Sequence, residues 1–288
     1  MNLVDTILKS RIQLPPFPAL LQRVLQVMDD SHSSAQNVVD ILQYDQAITA
    51  NILAVCNSAY FAANRPVHSL REALVRIGFN QLMEIILSRG SAFLFYRAFK
   101  GYDLEKGALW RHSVTCGLLS QVISRRLEGK STPTQFTAGL LHDVGKVVLS
   151  EFVKDQYGEI KKLVDEKGYP FMEAEKEILG IDHAELGAKI SEQWQFPEMI
   201  VSAIRYHHTP NRATQHRNLV NLIYLCDVVA LLTGIGGGAD GLSYQADNRV
   251  MREFHLQEKD IEKFIAEVNE RMNAVENLLT LNPVGGTS

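Results

Sequence analysis

The sequence LLHDVGK, from Leu140 to Lys146, sets two polar residues, His142 and Asp143, in the middle of an apolar run. Apolar residues recur at helical spacing around this pair and through almost every other segment of the 288-residue chain. No series of alternating strands separated by turn dipeptides occurs. The sequence therefore predicts an all-α, multi-helix fold, with the His-Asp pair on a helix over residues 134–149.

Residues typical of helix ends divide the rest of the chain. Ser34 and Asp45 are predicted N-caps, Ser69 with Glu72 forms a capping box, and Gly78 is a predicted stop before a helix over 81–96. In the second half, the pattern predicts further helices near 108–128, 155–167, 171–179, 183–194, 197–208, 217–233 and 257–279.

Two other polar residues interrupt apolar helical faces. His112 shares a face with Cys116, Leu119 and Ile123. Asp227 lies within an apolar segment, and its neighbours one turn away in either direction are Ile223, Tyr224, Ala230 and Leu231. A buried carboxylate without a partner costs on the order of several kcal/mol. Asp227 is therefore expected to face a cation or strong hydrogen-bond donors.

Simpler explanations exist for each of these residues. A single histidine on an apolar face is most often an ordinary core or helix-end residue. The charge of Asp227 is equally well met by an arginine, and the candidates are Arg76, Arg111 and Arg205.

Three more histidines have explanations of the same kind. His183 follows Asp182, a predicted N-cap, and so could simply lie in a first turn. His207 and His208 close a predicted helix, where a protonated imidazole interacts favourably with the helix dipole. All of these explanations must hold at once if the residues are unrelated, which favours a shared site.

The order His112, His142-Asp143, Asp227 resembles the H…HD…D signature of the HD metal-dependent phosphohydrolase superfamily, and LLHDVGK is close to its central motif. His183 and the pair His207-His208 resemble the HD-GYP branch of that superfamily. Members of that branch bind two or three metal ions and hydrolyse cyclic dinucleotides. The similarity covers roughly residues 108–233.

The resemblance implies a site for two divalent metal ions. Mixed histidine and carboxylate ligands favour iron, with manganese or zinc as alternatives. Asp143, as the bridge, and Lys146, as a phosphate contact, are the implied catalytic residues, with Arg205 a weaker candidate for phosphate. One metal ion takes His112, His142, Asp143 and Asp227, and the second shares Asp143 and takes His183, His207 and His208.

The first half resembles a different family. LPPFPALLQRVLQVMDD, LQYDQAITANILAVCNSAYF and VHSLREALVRIGFNQLMEIIL, within residues 14–87, are similar to the HDOD family, an HD-like fold that serves bacterial signalling as an output or regulatory module. The resemblance implies an N-terminal helical portion over 1–104 and an HD-like metal-binding portion over 105–280, together one HDOD region. A flexible tail is expected over 281–288. Many HDOD proteins have lost the metal residues, whereas this sequence keeps them.

The sequence also departs from the HD-GYP branch. That branch carries an HHExxDGxGYP stretch, but here Thr209, Pro210 and Asn211 follow the two histidines. No counterpart is found for the glutamate that supports a third metal ion, so a two-metal site is predicted. Three functions remain open: a phosphohydrolase or phosphodiesterase, a non-catalytic metal-containing module that senses redox state or oxygen, and a metal-free scaffold.

Composition limits the partners. A net charge of −4 and a pI near 6.1 do not suit binding to a nucleic-acid duplex or an anionic membrane. No uncharged apolar run of about 18 residues is present, and the three cysteines, Cys56, Cys116 and Cys226, are far apart as in reduced cytoplasmic proteins. The expected partners are a signalling protein and a phosphate-bearing small molecule or nucleotide.

Overall fold

The computed structural model describes residues 18–30, 33–57, 61, 65–235, 238, 253–254 and 256–281. Regular structure in these ranges is helical, apart from one isolated antiparallel bridge between Phe99 and Leu104. The all-α prediction is confirmed. Of the predicted tail, Leu281 ends the last helix and residues 282–288 lie outside the described residues.

The helices are numbered here in chain order. Short 3-10 turns at Lys100–Tyr102 and Pro210–Arg212 separate some of them. The α-helices of the described residues are α1 (Ala19–Asp29), α2 (Ala35–Leu42), α3 (Gln46–Cys56), α4 (Leu70–Phe95), α5 (Ala108–Glu128), α6 (Pro133–Leu141), α7 (Val144–Lys167), α8 (Phe171–Leu179), α9 (His183–Gln193), α10 (Glu198–Tyr206), α11 (Arg217–Leu232) and α12 (Glu258–Leu281).

Helix ends in the first half follow the predicted caps. Asp45 Oδ1 accepts a hydrogen bond from the backbone N of Ile48, and Ser69 Oγ accepts one from the backbone N of Glu72. Gly78 interrupts the helix where a stop is predicted. Its φ of 77° and ψ of 167° are not helical, so α4 consists of two helical segments that meet at a kink, and the second segment runs to Phe95.

The prediction of one helix over 134–149 is wrong. Helix α6 ends at Leu141 and α7 begins at Val144, so His142 and Asp143 form the turn between them. Helix α7 then runs to Lys167, through the boundary predicted near residue 155. This break matters for the site because it aims the two side chains from a junction rather than from one helical face.

Two glycines allow the close packing around this junction. A Cβ atom at Gly139 would lie 2.7 Å from the carbonyl oxygen of Cys116, and one at Gly145 would overlap the carbonyl oxygen of His183. Glycine is therefore required where α6 crosses α5 and where α7 meets α9. The two contacts fix the His142-Asp143 turn relative to the helices that carry the other site residues.

The apolar core is continuous from the first half to the second. It joins residues of α1 such as Leu25 to residues of α5, α7 and α11 such as Val114, Val147 and Leu225. Within this core, Arg271 of α12 donates hydrogen bonds to Glu84 of α4 and Gln121 of α5. No described helix is both long enough and apolar enough to cross a bilayer.

Candidate metal centre

The structure brings all seven predicted ligand residues together at one place in the bundle. Helix α5 carries His112 and α11 carries Asp227, while His183 is the first residue of α9. The remaining four lie at helix ends, and they are His142 and Asp143 between α6 and α7, and His207 and His208 after α10. Five imidazoles and two carboxylates therefore converge from five separate segments.

One group of donor atoms lies on one side of the Asp143 carboxylate, around its Oδ2 atom. His112 Nε2 lies 3.1 Å from Asp227 Oδ1 and 3.7 Å from Asp143 Oδ2. His142 Nε2 lies 3.8 Å from the same Asp227 oxygen and 3.4 Å from the same Asp143 oxygen. Two nitrogens and two oxygens thus face a common point.

A second group lies on the other side of Asp143. His183 Nε2 and His207 Nε2 are each 3.6 Å from Asp143 Oδ1. His208 lies beside them, with Nε2 2.9 Å from His183 Nε2 and Nδ1 3.6 Å from Asp227 Oδ2. The two oxygens of Asp143 therefore face two different sets of imidazoles.

Backbone carbonyls orient three of the rings. The Nδ1 atoms of His112, His142 and His207 lie 3.0, 2.7 and 2.7 Å from the carbonyl oxygens of residues 235, 139 and 204. A carbonyl only accepts, so each Nδ1 carries a proton, and in the neutral ring Nε2 then presents its lone pair to the centre. This is the tautomer that a metal ligand needs.

Several buried polar atoms at the centre lack a hydrogen-bond partner in the part of the chain that the structure describes. They are His142 Nε2, His207 Nε2, Asp143 Oδ1 and Asp227 Oδ2. Unsatisfied buried groups are rare in proteins because each costs about 1–3 kcal/mol. These four atoms carry lone pairs that point inward, and cations bound beside them would satisfy these lone pairs. The residues present therefore fit divalent metal ions.

A hydrogen-bonded pair behind His183 was not predicted from the sequence. Glu175 Oε2 lies 2.7 Å from His183 Nδ1 and accepts a second bond from the backbone N of the same residue at 3.0 Å. The Tyr102 hydroxyl donates a hydrogen bond to the other oxygen of Glu175. Glu175 shares the buried face of α8 with Phe171 and Ala174, which is the signal that could have revealed it.

Lys146 belongs to the site, although a surface position was an equally open reading of the sequence. Its side chain is 5% exposed, its Nζ donates to Asp143 Oδ2 at 2.7 Å, and the ammonium lies 5.6 Å from the centre of the Tyr102 ring. Arg205 does not reach the site. It pairs with Glu192 at the surface, so its weaker candidacy as a phosphate contact is not supported.

Arginine does not explain the buried charge of Asp227. Arg111 pairs with Glu276, Arg205 pairs with Glu192, and Arg76 donates to the backbone carbonyl of Arg65. The groups beside the Asp227 carboxylate are instead histidines.

Electrostatics favour ionised carboxylates at the centre and a neutral His207-His208 pair. Burial acts to raise the pKa of Asp143, but the charge of Lys146 and the neighbouring His142 outweigh it and hold that pKa well below its usual value. Burial, with the adjacent imidazoles, lowers the pKa of both His207 and His208. The protonated form that a helix-dipole role requires is therefore disfavoured in the pair.

His112 and His183 behave differently. Burial opposes the protonation of His112, but Cys116 and Asp227 outweigh burial and raise the pKa of His112 well above its usual value. Burial likewise opposes the protonation of His183, but the carboxylate of Glu175 outweighs burial and raises the pKa of His183 to about 9. In the absence of a metal ion, both ring nitrogens of His183 are therefore protonated at neutral pH and the ring is positively charged. A metal ion that binds its Nε2 has to displace the proton there.

The sequence matches one family model, that of the HDOD domain, over residues 14–210. This match spans more than half of the chain. The chain belongs to the HDOD family. A curated relative of this HDOD protein, an uncharacterised protein of Treponema pallidum, is 23% identical over 212 residues. The match covers 73% of the HDOD chain and 40% of the relative, so the chain spans less than half of that protein's length.

Solved structures share the fold. An HDOD domain protein of unknown function from Geobacter sulfurreducens is 24% identical with a TM-score of 0.71, and the match covers 94% of each chain. A Marinobacter aquaeolei protein, provisionally named as a signal transduction protein, is 22% identical with a TM-score of 0.68, over 96% of this chain and 60% of its own.

A third solved structure carries a name that refers to chemistry. It is a Shewanella amazonensis protein provisionally named as a metal-dependent phosphohydrolase, with 19% identity and a TM-score of 0.61 over 95% of this chain and 96% of its own. At this level of identity the likeness shows a common fold.

Proposed function

We propose that this HDOD protein is a signalling component that holds two divalent metal ions and hydrolyses a phosphoester with them. One observation carries the proposal: Asp143 Oδ2 lies 3.7 and 3.4 Å from His112 and His142, while Asp143 Oδ1 lies 3.6 Å from both His183 and His207. A carboxylate placed in this way is a bridge between two metal positions.

The remaining residues complete the two positions. Asp227 Oδ1 faces His112 and His142, and His208 stands beside His183. Imidazole and carboxylate ligands together suit iron, with manganese or zinc as alternatives, and do not suit calcium, which prefers oxygen ligands. We favour iron in both positions.

Two divalent ions held by these residues would supply Lewis acidity and would activate water for attack on a phosphoester. The protein's own residues define where the substrate binds. Lys146, whose Nζ lies 2.7 Å from Asp143 Oδ2, would stabilise a phosphoryl oxygen of the substrate as well as Asp143. His208 is the most exposed of the seven residues, at 12% of its side chain, so the substrate approaches from its side. The name of the Shewanella amazonensis protein is consistent with this chemistry.

A second function is favoured by the burial of the site. The side chains of His112, His142, Asp143, His183 and His207 are at most 2% exposed. A site this enclosed suits a regulatory iron centre that reports redox state or oxygen to a signalling partner, without turnover. The sequence Thr209, Pro210, Asn211, in place of the substrate stretch of HD-GYP proteins, fits this alternative as well.

Metal analysis and turnover together separate these functions. The chain is purified without added metal, its metal content is measured, and phosphodiesters including cyclic dinucleotides are offered as substrates. Asp143→Asn removes the proposed bridge while keeping its shape, and Asp155→Asn, at an exposed position of α7, is the matched control. Hydrolysis that is lost only in Asp143→Asn supports the enzyme.

Two other outcomes are informative. Metal ions that depend on Asp143 but no turnover on any phosphoester would favour the regulatory centre. A chain that takes up no divalent metal, even when it is offered in excess, would overturn both functions and leave a helical scaffold.

A further inference from the structure

Cys116 lies one helical turn after His112 on α5, and its side chain is fully buried. Its Sγ is 3.8 Å from His112 Nε2. Donor atoms of His112, Cys116, His142 and Asp227 all lie within 4.8 Å of one another. The thiol therefore borders the metal position on the His112 side of Asp143.

The separation of the two donors fits shared coordination. Ligand bonds of about 2.3 Å to sulfur and about 2.05 Å to nitrogen, at tetrahedral angles, place a thiolate sulfur and an imidazole nitrogen roughly 3.6 Å apart. The observed distance between Cys116 Sγ and His112 Nε2 is 3.8 Å. A metal ion can thus contact both atoms without rearrangement of α5.

A separate observation indicates that a cation belongs at this position. His142 is fully buried, and its Nε2, which faces the position, has no hydrogen-bond partner among the described residues. The thiol therefore stands beside a buried lone pair that already calls for a cation.

The backbone of Cys116 is held in place relative to His142. Its carbonyl oxygen lies at the crossing of α5 and α6, where only a glycine fits at position 139. His142 Nδ1 is bonded to the carbonyl of that same glycine. Cys226, although buried and next to Asp227, does not join the cluster of donor atoms found among the described residues.

We infer that Cys116 supplies a thiolate ligand to the metal ion held by His112, His142 and Asp227. The inference rests on the proposed function and refines it. The S–H bond breaks, its proton passes to solvent, and a sulfur–metal bond forms with no change in oxidation state. Two imidazoles, the carboxylates of Asp227 and the bridging Asp143, and a thiolate make this position softer than the all-nitrogen-and-oxygen position beside His183. The first position therefore selects zinc or iron(II) over manganese.

Cobalt(II) is the probe for this ligand, because a thiolate bound to cobalt gives an intense charge-transfer band in the near ultraviolet. The metal-free full chain is titrated with cobalt(II), and bound cobalt is counted by elemental analysis. We expect the band in the wild type and its complete loss in Cys116→Ala, which still binds cobalt through the remaining ligands.

The double variant Cys56→Ala/Cys226→Ala makes the test independent of how well Cys116→Ala folds. It leaves Cys116 as the only one of the three cysteines, and we expect it to keep the band at wild-type intensity. Cobalt bound to this double variant without the band would overturn the thiolate ligand and leave the two-metal proposal intact. Failure of the wild type to bind any cobalt would instead count against the metal centre itself.

Discussion

Replacing Glu175 by glutamine is expected to weaken one metal position and spare the other. Glu175 Oε2 lies 2.7 Å from His183 Nδ1, and neither side chain is more than 1% exposed. Glutamine keeps the shape and an accepting oxygen but removes the charge that orients His183 and increases its basicity. A hydrogen bond to a charged group is worth about 1.5–3 kcal/mol, which corresponds to a roughly 10- to 100-fold loss of affinity.

The pH dependence of this loss follows from the pKa of about 9 at His183. Below that pH, a proton competes with the metal ion for wild-type His183, so the wild type binds more tightly as the pH rises towards 9. Without the charge of Glu175, the pKa of His183 falls, and this competition weakens in the variant. The full 10- to 100-fold deficit is therefore expected only above about pH 9, with a smaller deficit at pH 7.

Zinc titrations buffered by a competing chelator, at several pH values, measure both effects. Glu177→Gln, an exposed position on the same helix, is the matched control and is expected to bind as the wild type does. Tyr102→Phe removes the hydrogen bond to Glu175 and is expected to weaken the same position by less. Equal zinc affinities of wild type and Glu175→Gln at every pH would refute the role of Glu175.

Three further variants test the fold around the site. Arg271→Ala leaves Glu84 buried without its cation and should lower the free energy of unfolding by about 3–5 kcal/mol in denaturant titrations. Burial outweighs Arg271 and raises the pKa of Glu84 in the folded state, so protonation of Glu84 favours folding. The free energy of unfolding should therefore decline as the pH rises through this raised pKa, and Glu84→Gln should flatten the decline. Gly145→Ala should cost about 1–3 kcal/mol and reduce metal content, whereas Gly158→Ala, in open space on the same helix, should do neither.

Four of the site residues could be predicted because they break an apolar pattern, whereas His183, His207 and His208 were indicated by the resemblance to HD-GYP proteins. Asp227 has apolar neighbours on every side along its helix, so its burial was already required by the sequence. His112 and His142 stand out in the same way. The structure brings these residues to one point, as the resemblance to HD proteins implied.

Tertiary packing decided what the sequence did not reveal. The apolar pattern continues through His142 and Asp143, but the helix breaks there, between Gly139, which packs closely on α5, and Gly145, which packs closely on α9. Glu175 was missed because charged residues surround it in sequence. Its hydrogen-bond donor Tyr102 lies 73 positions away and reaches it only in the folded chain.

Anomalous X-ray scattering from crystals of the chain, purified without added metal, tests the two-metal proposal most directly. We expect two anomalous peaks flanking Asp143, one beside His112 and His142 and the other beside His183 and His207. A well-phased map with no peak next to Asp143 would contradict the proposal, as would a single peak touching only one of its oxygens.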